Sequence, residues 1–93
     1  MKFEVLVEVR LRPGIADPQG ATVERALPAL GFGGVEAVRV GKAIRLTVEA
    51  PDAEGARSRA AAVADRLLAN PVIEESEVSV TEVVPGSGNG APG

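Results

Sequence analysis

From Phe3 to Leu11 the chain alternates. Phe3, Val5, Val7, Val9 and Leu11 fall on one side of an extended backbone; Glu4, Glu8 and Arg10 fall on the other, with Leu6 the one apolar residue among them. Period-two alternation of this length predicts a half-buried strand. Arg12-Pro13-Gly14 ends it, because Pro and Gly punctuate a strand. A helix follows. Asp17 can accept from the unpaired N–H groups of a first turn, and Pro18 takes the first helical position, where its missing N–H costs nothing. Val23, Ala26, Leu27 and Leu30 then recur at helical spacing as one apolar stripe. Pro28 tightens or bends the last turn, and Gly31 stops it.

After a Phe32-Gly33-Gly34 loop, Val38 and Val40 alternate with Arg39 as a short strand. The pair Gly41-Lys42 separates it from Ile44, Leu46 and Val48, which alternate with Arg45, Thr47 and Glu49. Two strands about so tight a turn predict a β-hairpin. Pro51-Asp52 opens a second helix with Asp52 as its cap, and Ala56, Ala60, Val63 and Leu67 mark its apolar side. Asn70 can take a left-handed C-terminal conformation, and Pro71 forbids continuation. Val72 and Ile73 are expected to pack this turn against the sheet. Val78 and Val80 alternate with Glu77, Ser79 and Thr81 as a last strand.

The predicted order is βαββαβ. Its fold class is α+β: a ferredoxin-like sandwich with a four-stranded antiparallel sheet and two helices on one face. The folded domain spans residues 1–84. Residues 85–93, Pro-Gly-Ser-Gly-Asn-Gly-Ala-Pro-Gly, hold almost nothing to bury and are expected to form a flexible tail. The sheet face away from the helices would carry Glu4, Leu6, Glu8 and Arg10, which suits a surface meeting another subunit. Its edge strands are open to pairing.

Composition narrows the chemistry. Of 93 residues 45% are apolar, but 15 of them are Ala, and there is no Trp or Tyr, so branched aliphatics must build the core. A domain this small gains only about 3–5 kcal/mol from one core. Cys and His are absent, so neither disulfides nor Cys- or His-ligated metals can add to that. Self-association or docking on a larger partner is the remaining route. The same absence excludes a Ser-His-Asp triad, a thiol nucleophile and a zinc finger. A net charge of −3 and two Phe exclude a nucleic-acid surface. No apolar run is long enough to cross a membrane, and Lys2, Glu4 and Glu8 interrupt any signal-peptide core, so the cytoplasm is the expected compartment.

The candidate motifs are modest. Gly31-Phe32-Gly33-Gly34 follows a helix instead of opening one, so it reads as a loop and not a phosphate cradle. Gly41-Lys42 lacks the rest of a phosphate-binding loop and reads as a turn with an exposed Lys. Glu74, Glu75, Glu77 and Glu82 could bind a hard cation or act as acid and base, but read as a solvated acidic turn. Gln19-Gly20 is not explained by capping; small and polar residues in a first turn would let another chain approach closely.

Three segments together resemble the PurS family, the small subunit of phosphoribosylformylglycinamidine (FGAM) synthase. They are Asp17-Pro18-Gln19-Gly20, Val35-Glu36-Ala37-Val38-Arg39-Val40-Gly41-Lys42 and Leu68-Ala69-Asn70-Pro71-Val72-Ile73-Glu74. The resemblance spans residues 2–84, with Gly33-Gly34 and Ala43 departing from the usual pattern. It implies a non-catalytic adaptor in de novo purine biosynthesis. In that family's complex a large subunit uses ATP and Mg to activate formylglycinamide ribonucleotide, and a separate glutaminase subunit supplies ammonia. The small subunit would bind no cofactor and no metal, would self-associate as a homodimer or homotetramer, and would bring the other two together. Asp17, Gln19, Arg39, Lys42 and Asn70 are the expected partner-contact residues: Asp17 for helix-start geometry, Gln19 for polar contact, Arg39 and Lys42 for charge pairing, Asn70 for fixing the turn. The alternative on the same element order is an ACT-like domain that binds a small regulatory molecule.

Overall fold

A computed structural model describes residues 1–84; the expected tail, residues 85–93, lies outside the described residues. Three strands and two helices form: β1 Lys2–Leu11, α1 Pro18–Ala26, β2 Lys42–Glu49, α2 Ala53–Val63 and β3 Glu74–Val84. The sheet is antiparallel with order β2-β1-β3. The alternation of β1 does what it predicts. Phe3, Val5, Val7 and Val9 are at most 2% exposed, and each meets the other strands in register, Val5 between Leu46 and Val80, Val7 between Ile44 and Val78. A central strand buries its inward residues on both flanks, so these four anchor the core.

Ala56, Ala60 and Ala64 of α2 lie fully buried on the sheet. Small side chains let the helix sit close to the branched aliphatics beneath. The buried stripe is therefore Ala56, Ala60, Ala64 and the half-buried Leu68, while Val63 is 38% and Leu67 79% exposed, contrary to the predicted stripe. The helix continues through Ala64–Leu68 as a wide π-type turn, with the Ala69 N–H donating to the Ala64 carbonyl at 2.9 Å. That added width turns Leu68, not Leu67, toward the core.

The four-stranded ferredoxin-like sandwich is not what forms among the described residues; the observed class is α+β with three strands. Residues 38–40 join no ladder. Their N–H groups are taken by side chains of the α1 region: Val38 N–H donates to Glu24 Oε1 at 3.1 Å and Val40 N–H to Asp17 Oδ2 at 2.9 Å. Ala37 bends the approach with φ of 60°. The predicted hairpin about Gly41-Lys42 is accordingly absent, and β2 pairs with β1 alone.

Nor do both helices cover the sheet in equal measure. No α1 residue belongs to the buried core; only Gly20 of that helix is buried, and Val23 and Leu30 of its stripe are 44% and 68% exposed. Val72 and Ile73 are likewise exposed instead of packing on the sheet. The glutamates after them form no acidic turn, because β3 begins at Glu74 and sets Glu75 and Glu77 beside Arg10 of β1 and Arg12 just after it.

Candidate partner interface

Asp17 organises one end of the molecule. Oδ1 accepts from Gly20 N–H at 2.9 Å, which caps α1. Oδ2 accepts from Val40 N–H at 2.9 Å, which ties the segment before β2 to that helix start. Arg39 Nε stands 3.9 Å away. The Gly20 and Val40 donors, with the Arg39 charge adding to them, hold the Asp17 carboxyl below its ordinary range. Gly20 completes the joint. A Cβ there would lie 2.4 Å from the Val38 carbonyl oxygen. The close approach that Gln19-Gly20 suggests is thus made by the chain's own residues 38–40.

A cleft of about 490 Å³ opens beside this joint, lined in part by Arg10, Asp17, Gln19, Lys42 and Glu74. A neighbouring cleft of about 320 Å³ is shared by Arg10, Arg39 and Lys42. Four of the five predicted contact residues therefore gather at one end: Asp17, Gln19 and Lys42 on the first cleft, Arg39 on the second. Lys42 is not the unengaged tip residue that the sequence suggests. Its Nζ donates to the Leu68 carbonyl at 3.1 Å, near the C-terminus of α2, where a cation suits the helix dipole. Asn70 lines neither cleft. It fixes the turn before β3: its Oδ1 accepts from Val72 N–H at 3.1 Å, its own N–H donates to Glu74 Oε1 at 2.7 Å, and its carbonyl accepts from Glu74 N–H at 2.7 Å.

Arg12, which the sequence marks only as part of the strand end, clamps that turn. Its backbone N–H reaches the Ile73 carbonyl at 2.8 Å, and its guanidinium donates to the Pro71 carbonyl at 2.9 and 3.1 Å. Arg10 pairs with Glu77 at 3.0 Å and with Glu75 at 3.6 Å across β1 and β3. Glu77 chiefly, and Glu75 after it, hold the Arg10 guanidinium above its ordinary value. Arg10 and Arg12 at spacing i, i+2 face Glu75 and Glu77 at the same spacing, and that shared strand spacing is the sequence signal for this ladder.

This is an arrangement for holding, not for bond-making. The Asp17 carboxylate is consumed by two N–H groups and the Glu74 carboxylate by Asn70. Among the described residues no three acidic side chains gather as a metal site, and no helix is long and apolar enough to cross a membrane.

Residues 4–82 match the family model described as PurS, phosphoribosylformylglycinamidine (FGAM) synthase. The chain belongs to the PurS family. A PurS subunit from Synechocystis is 45% identical over 85% of this chain and 79% of its own length, and one from Bacillus subtilis is 38% identical over 88% and 96%. The fold matches a crystal structure of the PurS subunit from Thermotoga maritima with a TM-score of 0.81 at 37% identity, covering 87% of this chain and 93% of that one. It also matches a chain in the structure of PurLQS from the same organism, with a TM-score of 0.80 at 37% identity, covering 87% and 99%. PurS membership selects the synthase-subunit expectation over the ACT-like one.

Proposed function

We propose that this chain is the non-catalytic adaptor subunit of a multisubunit FGAM synthase in de novo purine biosynthesis. Its likeness to almost the whole of a chain in the PurLQS structure carries that reading. The chain works as part of an ATP-dependent ligase that takes its amide nitrogen from glutamine, and it works in the cytoplasm. It bridges a large synthetase subunit, which uses ATP and Mg, and a glutaminase subunit, and it self-associates to do so. Ammonia released at one active site is lost if it escapes to solvent. Fixing two active sites in one assembly raises its effective concentration at the second without any chemistry in the bridge. A chain without His or Cys, whose best-placed carboxylates are spent on backbone N–H groups, suits that task.

The partner contact lies at the end where Asp17, Gln19, Arg39 and Lys42 gather, with Asn70 shaping the adjoining turn. Gln19 is the cleanest residue to vary, since it is exposed and makes no side-chain hydrogen bond among the described residues. Lys42 is a poorer choice because its loss also frees the Leu68 carbonyl. Sedimentation of the synthetase and glutaminase subunits, mixed with and without this chain, tests the reading. The ternary assembly is expected only with the chain present, and weaker with Gln19→Arg. Equal assembly of the two large partners in its absence overturns it.

A further inference from the structure

The turn from Asn70 to Glu74 is fixed more firmly than an exposed connection requires. Every main-chain N–H in it is bonded. Asn70 donates to Glu74 Oε1 at 2.7 Å, Val72 to Asn70 Oδ1 at 3.1 Å, and Ile73 and Glu74 to the Asn70 carbonyl at 3.1 and 2.7 Å; Pro71 has none to offer. Arg12 closes the turn from outside, with its guanidinium on the Pro71 carbonyl and its N–H on the Ile73 carbonyl. Lys42 holds the Leu68 carbonyl just before it. On this frame stand the two most exposed large apolar side chains among the described residues, Leu67 and Val72, each 79% exposed. Neither belongs to the core. A lone exposed apolar side chain is ordinary on a protein surface; the frame sets these two apart. None of the bonds that fix the turn uses the Val72 side chain, so a polar residue there would make the same turn and be better hydrated. Ordering a loop on binding lowers affinity, and here the ordering is complete on folding.

We propose that Val72 and Leu67 form a preformed knob that seats in an apolar pocket on the glutaminase subunit. The inference rests on the bridging reading above and adds the element that makes the contact. Glu74 carries the turn to the 490 Å³ cleft, whose wall it shares with Asp17, Gln19 and Lys42, so knob and cleft form one continuous surface. Cations flank the knob. Arg66 shares a shallow groove of about 370 Å³ with Leu67 and Val63, and the Arg12 guanidinium lies against the Pro71 carbonyl. The carboxylates nearby are engaged, Glu74 by the Asn70 N–H and Glu75 by Arg10 and Arg12. The pocket that fits is therefore apolar with an acidic rim. Of the two enzyme subunits, the synthetase must hold ATP and a ribonucleotide phosphate, which calls for a basic field around them. The glutaminase takes a substrate without phosphate and has no such need. That difference selects the glutaminase.

The absence of native Cys lets a probe be placed at one position. The whole chain with Val72→Cys, carrying a benzophenone on that thiol, is mixed with both enzyme subunits and irradiated. The glutaminase is the expected cross-linked partner; capture of the synthetase or of a second copy of this chain overturns the inference. Titration of the whole chain into the two enzyme subunits, read as glutamine-dependent FGAM formation, gives an independent reading. Val72→Asp is expected to raise the half-maximal chain concentration by about tenfold or more, because a carboxylate must enter an apolar pocket with an acidic rim, while Val72→Ile stays near the parent. Leu30→Asp, at a residue 68% exposed just past α1, is also expected to stay near the parent. Val72→Asp should melt within about 4 °C of the parent, as surface substitutions do, which separates lost docking from lost folding. A Val72→Asp chain that titrates like the parent, or a Leu30→Asp chain that fails as badly, overturns the inference. A parent chain that supports no glutamine-dependent synthesis overturns the bridging reading itself, and the knob with it.

Discussion

Gly20→Ala puts a single methyl group into the joint that replaces the missing strand. In an ordinary helix this change stabilises by about 1 kcal/mol, because Ala has the higher helix propensity. Here the added Cβ would lie 2.4 Å from the Val38 carbonyl oxygen and 2.7 Å from Asp17 Oδ2. Ordinary contact begins near 3.4 Å, so the segment must retreat by about 1 Å. Its retreat stretches both hydrogen bonds that hold it, Asp17 to Val40 N–H and Glu24 to Val38 N–H. Overpacking of this kind costs about 1–3 kcal/mol, which outweighs the propensity gain. A net loss of about 1–2 kcal/mol lowers the melting temperature of a domain this size by about 5–15 °C. The matched control is Gly55→Ala, in the first turn of α2. Its Cβ would sit 3.2 Å from Asp52 Oδ1 and 3.5 Å from Ala50 Cβ, which a slight shift accommodates, so its change should stay within about 0.5 kcal/mol. Thermal melts by circular dichroism compare the two, and amide hydrogen exchange at Val38 and Val40 reports whether the joint has opened. A Gly20→Ala protein that melts at or above the parent, with those two amides still protected, refutes the argument.

Val7→Ala removes two methylenes' worth of apolar surface from a fully buried position on the central strand. Transfer and cavity terms together give about 2–3 kcal/mol, read as a lower urea midpoint at unchanged slope; a loss under about 0.5 kcal/mol would mean the core is not where β1 puts it. Asp17→Asn keeps one side-chain acceptor where two N–H groups need one each. The folded carboxyl titrates below its unfolded value, so its contribution is fully present above the ordinary carboxylate range and is lost as pH falls through the folded value. The melting-temperature gap between parent and variant should therefore be widest near neutrality and shrink as the pH is lowered through and below the ordinary carboxylate range; a constant gap contradicts the assignment.

Much of this architecture is legible in the chain itself, where local pattern and tertiary environment agree. β1 alternates cleanly because one of its faces is buried along its whole length. Asp17 and Asp52 are capping residues whose partners lie three residues on, at Gly20 and Gly55. The turn at Asn70-Pro71 is likewise local chemistry, although the helix ends earlier, at Leu68 with Ala69 extended, and Asn70 does not take the left-handed conformation expected of it. Residues 38–40 differ from their pattern because Val-Arg-Val before Gly41 reads as a strand in any context. Its fate was decided by Glu24 and Asp17, acceptors 14 and 23 residues away in sequence. The stripe of α2 shifts for another reason: in an Ala-rich helix neighbouring frames are equally apolar, and a wide turn at Ala64–Leu68 selects between them. The stripe of α1 is real, but periodicity says only that a face is apolar and not that this chain covers it. At the candidate site, the sequence supplies residue types at recognisable spacing; it does not reveal that Lys42 closes on Leu68 or that Arg12 holds the turn after it.

The central claim is that this chain joins active sites and contains none. Its most direct test is FGAM formation by the synthetase and glutaminase subunits, assayed with this chain present or omitted and with either glutamine or ammonium as nitrogen source. Omission should abolish or strongly reduce the glutamine-dependent rate and leave the ammonium-dependent rate of the synthetase in place. Glutamine-dependent synthesis that proceeds equally well without the chain would contradict the account.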